Sequence, residues 1–190
     1  NLDADDATAN TVNAAAYTGA LTIVADDDEI DTQASTLTGG TGTSDTLSIT
    51  AGGNAIAAAD LANVTAIETF DITATTAAAT ITLSDNNAAA GETLTVSSAQ
   101  TTGVLTLDGS AETDGNLTIT AAGTGAHIIT LGSGNDSYTS TSSGIDTVTA
   151  TAGTNTIVTG AGDDAITMGT GADNITAGAG DDTITVATAN

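Results

Sequence analysis

The chain contains no lysine and no arginine. Its 24 acidic residues leave a formal net charge of −24 at pH 7 over 190 residues. Soluble chains are usually about a quarter charged, with both signs present. Here no carboxylate can pair with a basic side chain of its own chain, so self-repulsion opposes compaction unless cations from solution neutralise it. The same lack excludes nucleic acid as a partner, because phosphates are held by Lys and Arg, and it excludes an anionic membrane surface. Cysteine is absent too, so no disulfide forms, which is compatible with a secreted protein without proving secretion. No apolar run approaches the roughly 20 residues of a membrane-spanning helix, so no transmembrane segment is expected. Asn1 begins no basic, signal-like leader, so the chain reads as a mature protein or a fragment.

Aromatics are nearly missing: Tyr17, Phe70 and Tyr138 are the whole set, and His127 is the single histidine. Catalysis needs positioned acids, bases or nucleophiles. Without Cys, Lys or Arg, only paired carboxylates remain, and those could hydrolyse a glycoside. Sugar clefts usually carry aromatic platforms, however, and this chain has almost none. No enzymatic role is expected, and His127, within the strand-like phrase Ala126-His127-Ile128-Ile129, reads as structural.

What the chain does have is a repeat. Six units of Gly-x-Asp/Asn-x-apolar occupy the last third: Gly134-Asn135-Asp136-Ser137-Tyr138, Gly144-Ile145-Asp146-Thr147-Val148, Gly153-Thr154-Asn155-Thr156-Ile157, Gly162-Asp163-Asp164-Ala165-Ile166, Gly171-Ala172-Asp173-Asn174-Ile175 and Gly180-Asp181-Asp182-Thr183-Ile184. The Asp/Asn positions step by 10, 9, 9, 9 and 9 residues. A fixed short period means stacked units sharing one thin core, because a single unit cannot bury its apolar residue alone. Side chains alternate along a strand, so Tyr138, Val148, Ile157, Ile166, Ile175 and Ile184 form the inward set. Two units make one coil of about 18 residues. On that count Asp146, Asp164 and Asp182 stack on one side, and Asp136, Asn155 and Asp173 on the other.

Glycine in the turns leaves backbone carbonyls unobstructed, and an Asp two residues later sets carboxylate oxygen beside them. Such an all-oxygen donor set suits calcium, which takes six to eight oxygen ligands. The candidate metal residues are the six Asp/Asn just named, the neighbouring Asp163 and Asp181, and Gly134, Gly144, Gly153, Gly162, Gly171 and Gly180. The Asn155 side should bind more weakly, with an amide in place of a carboxylate. Calcium is expected to be part of the folding reaction, since binding to the folded form alone stabilises it.

These units resemble the RTX (repeats-in-toxin) nonapeptide, G-G-x-G-x-D-x-U-x. The best matches are Gly160-Ala161-Gly162-Asp163-Asp164-Ala165-Ile166, Gly169-Thr170-Gly171-Ala172-Asp173-Asn174-Ile175 and Gly178-Ala179-Gly180-Asp181-Asp182-Thr183-Ile184. Thr159, Met168 and Ala177 stand where the first family glycine belongs, and Ser142 and Thr151 replace the second. The resemblance implies a calcium β-roll over roughly 131–190 that binds several Ca2+ ions. Extracellular calcium sites are weak, about 10⁻⁴–10⁻³ M, and would stay empty in cytosol. The expected location is therefore secreted, extracellular and at the cell surface.

Upstream, strand-like phrases recur at a wider step: Leu21-Thr22-Ile23-Val24, Leu47-Ser48-Ile49, Phe70-Asp71-Ile72, Ile81-Thr82-Leu83, Leu94-Thr95-Val96, Leu105-Thr106-Leu107, Leu117-Thr118-Ile119 and Ile128-Ile129. This alternation marks half-buried strands. The predicted fold is all-β, a parallel β-solenoid over 1–130 leading into the narrower roll at 131–190, with an N-terminal assembly segment and one helical turn near 55–62. The acidic run Asp26-Asp27-Asp28-Glu29 with Asp31 reads equally as a solvated loop or as a calcium site at a contact. Glu68, Asp108, Glu112 and Asp114 are weaker candidates of that kind.

Phrases such as Leu37-Thr38-Gly39-Gly40-Thr41-Gly42 with Asp45-Thr46-Leu47, and Asp108-Gly109-Ser110-Ala111-Glu112-Thr113-Asp114-Gly115, resemble bacterial surface-layer proteins that carry RTX repeats. That implies a structural module of a self-assembling surface protein, an S-layer or filament subunit. Its partners would be copies of itself, with cell-surface polysaccharide as a further candidate. Two alternatives stand beside it. One is a calcium-triggered folding and secretion module of an RTX adhesin, toxin or protease. The other is an ice-binding solenoid displaying rows such as Thr149, Thr167 and Thr185.

Overall fold

A computed structural model describes residues 9–31, 35–73, 76–100 and 102–187. The N-terminal assembly segment expected from sequence falls partly on 1–8, outside the described residues.

Short β-rich phrases, each Thr- or Ser-flanked around one or two aliphatics, build two long parallel sheets. One holds eight strands: β2 (Thr22–Asp26), β4 (Thr46–Thr50), β7 (Thr69–Ile72), β9 (Thr93–Ser98), β11 (Asn116–Ala121), β13 (Ser137–Ser140), β15 (Thr156–Val158) and β17 (Asn174–Thr176). The other holds seven: β5 (Ala55–Ile56), β8 (Ala79–Thr82), β10 (Leu105–Asp108), β12 (His127–Thr130), β14 (Thr147–Ala150), β16 (Ala165–Met168) and β18 (Thr183–Val186). The chain alternates between them, one strand of each per coil, so every pairing is parallel. This is the expected β-solenoid.

A third, three-stranded sheet widens the first coils: β1 (Thr11–Asn13), β3 (Thr36–Thr38) and β6 (Val64–Thr65). Two helical turns also lie in this wide part, α1 (Asp27–Asp31) and α2 (Ala58–Leu61). α2 falls where sequence placed a helical turn; α1 was not foreseen. Across 130 both long sheets continue without a break, β11 pairing with β13 and β12 with β14. The two parts therefore differ in coil size and share one core.

That core is a single file of alternating residues: Leu47 and Ile49, Phe70 and Ile72, Leu94 and Val96, Leu117 and Ile119, then Tyr138 and Ile157 from one sheet, with Leu105, Ile129, Val148 and Ile166 from the other. Of the inward set read from sequence, Tyr138, Val148, Ile157 and Ile166 are buried, Ile175 is partly buried and Ile184 is 47% exposed. The last two belong to the terminal coil, which has no described neighbour beyond it. Outward positions stack in register as hydroxyl rows, Thr46, Thr69, Thr95, Thr118, Ser137 and Thr156 on one sheet and Thr149, Thr167 and Thr185 on the other.

The acidic run at 26–29 has a structural explanation. Asp26 and Glu29 cap the start of α1 reciprocally, Asp26 N–H donating to Glu29 Oε2 and Glu29 N–H to Asp26 Oδ1, both at 3.0 Å. Buried Asp27 accepts three backbone N–H bonds, from Gly52, Gly53 and Asn54, at 2.7–2.8 Å on Oδ2. Backbone dipoles stabilise its charge in place of the missing cation.

Candidate calcium turns

Six turns carry the repeat, three at each edge of the roll. The structure places Asp146, Asp164 and Asp182 in one column and Asp136, Asn155 and Asp173 in the other. A hydrogen-bond ladder joins each column. Asp146 N–H donates to Asp164 Oδ1 at 2.8 Å, and Asp164 N–H to Asp182 Oδ1 at 3.0 Å, each across 18 residues. Opposite, Asp136 N–H donates to Asn155 Oδ1 and Asn155 N–H to Asp173 Oδ1, both at 2.9 Å. The repeat carboxylate thus has one oxygen committed to the coil before it. A backbone N–H at the mouth of each strand, otherwise orphaned, is satisfied by the following coil.

Glycine makes the stacking possible. A Cβ on Gly171 would stand 1.6 Å from Gly153 O, and one on Gly153 1.8 Å from Gly134 O. Both glycines also sit at positive φ, +143° and +87°, where L side chains are strained. In the other column a Cβ on Gly180 would stand 1.9 Å from Gly162 O, and one on Gly162 2.5 Å from Gly144 O. Carbonyl therefore lies under α-carbon from coil to coil, an approach only glycine permits.

The columns are not uniform. Asp164 is buried, and its Oδ2 meets no hydrogen-bond donor; the same holds for Asp136 Oδ2. Asp146 is different: its Oδ2 accepts the buried Tyr138 hydroxyl at 2.9 Å while Oδ1 takes the His127 N–H at 3.0 Å. Burial pushes the Asp146 carboxyl above its usual range, against hydrogen bonds and the nearby His127 that pull it down. The Asp136 carboxyl is likewise raised, chiefly by burial and further by the charge of Glu112, with the N–H groups of Leu117 and Gly132 opposing. Asn155 turns its amide to the column: Nδ2 donates to Asp173 Oδ1 at 3.1 Å and to Ala152 O at 2.8 Å. A neutral donor fills space that an Asp would leave to a cation. Asp163 and Asp181 lie outside the columns, at exposed positions, where Asp181 N–H donates to Asp163 Oδ1 at 2.9 Å.

Two further members were not foreseen. His127 occupies the column position below Asp146, and its Nδ1 accepts the Leu105 N–H at 3.4 Å. Burial lowers its pKa, against the attraction of Asp146. Its place 19 residues before Asp146 was the available signal. Asp45, fully buried in the wide part, accepts the Leu21 N–H at 2.8 Å, and its own N–H donates to Glu68 Oε2 at 2.8 Å. The Gly39-Gly40-Thr41-Gly42 run ahead of it was the signal, hidden by one extra residue in the spacing.

The donors fit calcium. They are oxygens only, chiefly the orphaned second carboxylate oxygens of Asp136 and Asp164, in a chain with no basic side chain to compete. Stacked glycine turns and an aspartate ladder on two parallel sheets define a β-roll, the class of solenoid in which each turn is a prospective cation site. Residues 140–172 and 167–186 match the RTX calcium-binding nonapeptide repeat, in 4 copies. This part of the chain is an RTX β-roll, and its repeats are calcium-binding. No curated protein and no solved structure matches the chain. Among the described residues, no helix is long and apolar enough to cross a membrane.

Proposed function

We propose that the chain is a calcium-stabilised structural module of a secreted surface protein, one that self-assembles into an S-layer or filament and has no catalytic task. The observation carrying this reading is the unbroken core. The calcium roll and the wide solenoid share both long sheets, so metal that orders the repeats also stiffens the rest of the rod. Proteins with this repeat are typically secreted, where millimolar calcium keeps weak sites filled. A net charge of −24 keeps separate copies apart until cations bridge them.

The test is sedimentation and negative-stain microscopy of the metal-stripped protein as calcium is raised. Ordered assemblies that dissolve in EDTA are expected. A strict monomer at 10-fold the calcium needed for folding would overturn the reading.

A second reading, a folding and export module of an adhesin, toxin or protease, is favoured by the ladder's direction. Each coil's strand-mouth N–H is finished by the coil after it, so the chain completes itself only when its C-terminal repeats are in place. Removal of the last coil would then abolish calcium-induced folding upstream.

A further inference from the structure

We infer that the rod consists of two units of unequal calcium dependence, divided between β12 and β13: the wide solenoid holds its fold without calcium, and the roll opens as a separate unit when the metal is withdrawn. The inference rests on the calcium reading of the repeats and is independent of whether copies assemble.

The first observation is how the buried carboxylates are met. Among the described residues, Asp27, Glu29, Asp45 and Glu112 are buried before the boundary, and Asp136, Asp146 and Asp164 after it. Those before it are held by backbone N–H groups of the wide part itself. Asp27 takes three on Oδ2, and Glu29 Oε2 takes the Asp26 N–H. Asp45 uses both oxygens, Oδ1 for the Leu21 N–H at 2.8 Å and Oδ2 for the Gly40 N–H at 2.6 Å. Glu112 does the same, Oε1 for the Gly115 N–H at 2.9 Å and Oε2 for the Ala88 N–H at 3.2 Å. Backbone dipoles stand in for a cation there.

Beyond the boundary the pattern changes. Asp136 and Asp164 each give Oδ1 to the coil before, to the Leu117 and Asp146 N–H groups at 2.8 Å, and keep a buried Oδ2 without a donor. A buried charge so left is costly. The charge of Glu112 also reaches Asp136, so repulsion in the absence of metal falls at the junction itself.

The second observation is the core, which is independent of charge. β4, β7, β9, β10 and β11 each bury two large apolar side chains, as Leu105 and Leu107 do in β10. The third sheet adds Leu37 and Val64, and the helical turns add Ile30 and Leu61. β13, β14 and β15 bury one large side chain each, Tyr138, Val148 and Ile157, and the last coil leaves Ile184 exposed. Apolar burial therefore stabilises a wide coil more than a roll coil. Coils of a solenoid contact only their neighbours, so a run of weaker coils at one end can open while the rest stays closed. Calcium bound to the closed roll alone removes that difference.

Hydrogen exchange of the full chain at pH 7, read by mass spectrometry of peptic fragments in EDTA and in millimolar calcium, tests the boundary. In EDTA β4, β7 and β9 should stay protected. The amides of β13–β18 should exchange on the order of 10-fold faster or more, the factor for one site that calcium fills at about 10 times its Kd. Loss of protection in β4, β7 and β9 together with the roll would make the chain one cooperative unit and overturn the inference. Unchanged exchange throughout would instead overturn the calcium reading on which it rests. Two variants add a second readout. Asp45→Asn should weaken protection of β2 and β4 equally in EDTA and in calcium, whereas Asp164→Asn should weaken the roll in calcium only. An effect of Asp45→Asn confined to calcium would make Asp45 a metal ligand and overturn the inference. The wild-type comparison decides alone if Asp45→Asn does not fold.

Discussion

Asp164 lends one carboxylate oxygen to the Asp146 N–H at 2.8 Å and keeps the other, buried, without a partner. The repeat aspartate therefore has two separable duties, capping the coil before it and offering an oxygen to calcium. The two can be divided by substitution. In the opposite column Asn155 already caps through its amide oxygen, so Asp164→Asn should keep the cap and lose the charge. In EDTA it should be as stable as wild type or more so, and its calcium midpoint should rise several-fold. Asp164→Ala loses both duties and should cost about 1–3 kcal/mol in EDTA as well, the penalty for an unsatisfied buried N–H. Urea unfolding with and without calcium reads both. Equal stability of the alanine variant and wild type in EDTA would remove the ladder's contribution.

Tyr138 supplies its hydroxyl to Asp146 Oδ2 at 2.9 Å, the one repeat carboxylate seen with protein donors on both oxygens. Tyr138→Phe keeps the ring in the core and strands that oxygen. Without calcium the variant should lose about 1–3 kcal/mol, as expected for a buried acceptor left unpaired. With calcium the loss should shrink, because the freed oxygen resembles that of Asp164. A loss of the same size in both conditions would mean that Asp146 Oδ2 does not face the ion.

Much of this was legible in the sequence, because the nine-residue period fixes both the coil and the columns. Asp146, Asp164 and Asp182 stack as counting by two predicts. What counting could not show is the use made of each oxygen. Asp146 and Asp164 hold the same place in the repeat, yet Asp146 takes the hydroxyl of a tyrosine eight residues earlier on the facing sheet, where Thr156 stands eight residues before Asp164. Asp45 was obscured because the wide coils are set by packing against a third sheet and carry no fixed period. Asp27 was ambiguous for a simpler reason: its partners are backbone N–H groups 25–27 residues away, and backbone donors leave no trace in composition.

Acidity should partly replace calcium. Burial raises the carboxyl pKa of both Asp136 and Asp146. The stability contributed by protonating them is fully present below the ordinary 3.8 and is lost as pH rises through their raised values. His127 acts in the opposite sense: its pKa is lowered, so its contribution is present above 6.5 and is lost as pH falls through the lowered value. In EDTA, His127→Gln should therefore gain melting temperature steadily from pH 7 toward 4, while wild type gains less. In calcium the trend should reverse for both, since protons compete for the ligands. An EDTA melting temperature for His127→Gln that falls with acid would contradict the assignment.

Gly171 is the position where the roll tolerates least. A Cβ there would meet Gly153 O at 1.6 Å, and the backbone stands at φ +143°. Neither fault can be relieved by a side-chain rotamer, because both partners are backbone. Gly171→Ala must therefore lift the coil that bears Asp173 from the one below, breaking the Asn155 N–H bond to Asp173 Oδ1 and separating the stacked carbonyls. Because each coil is capped by its successor, the damage should spread backward from the C-terminal end. Hydrogen exchange should quicken first at Asn155 and then at Asp136, while the wide coils near β4 and β7 stay protected. Added calcium should restore little, since the donors are no longer in register. A variant as protected as wild type at Asn155 would show that the close glycine stack does not hold the coils together.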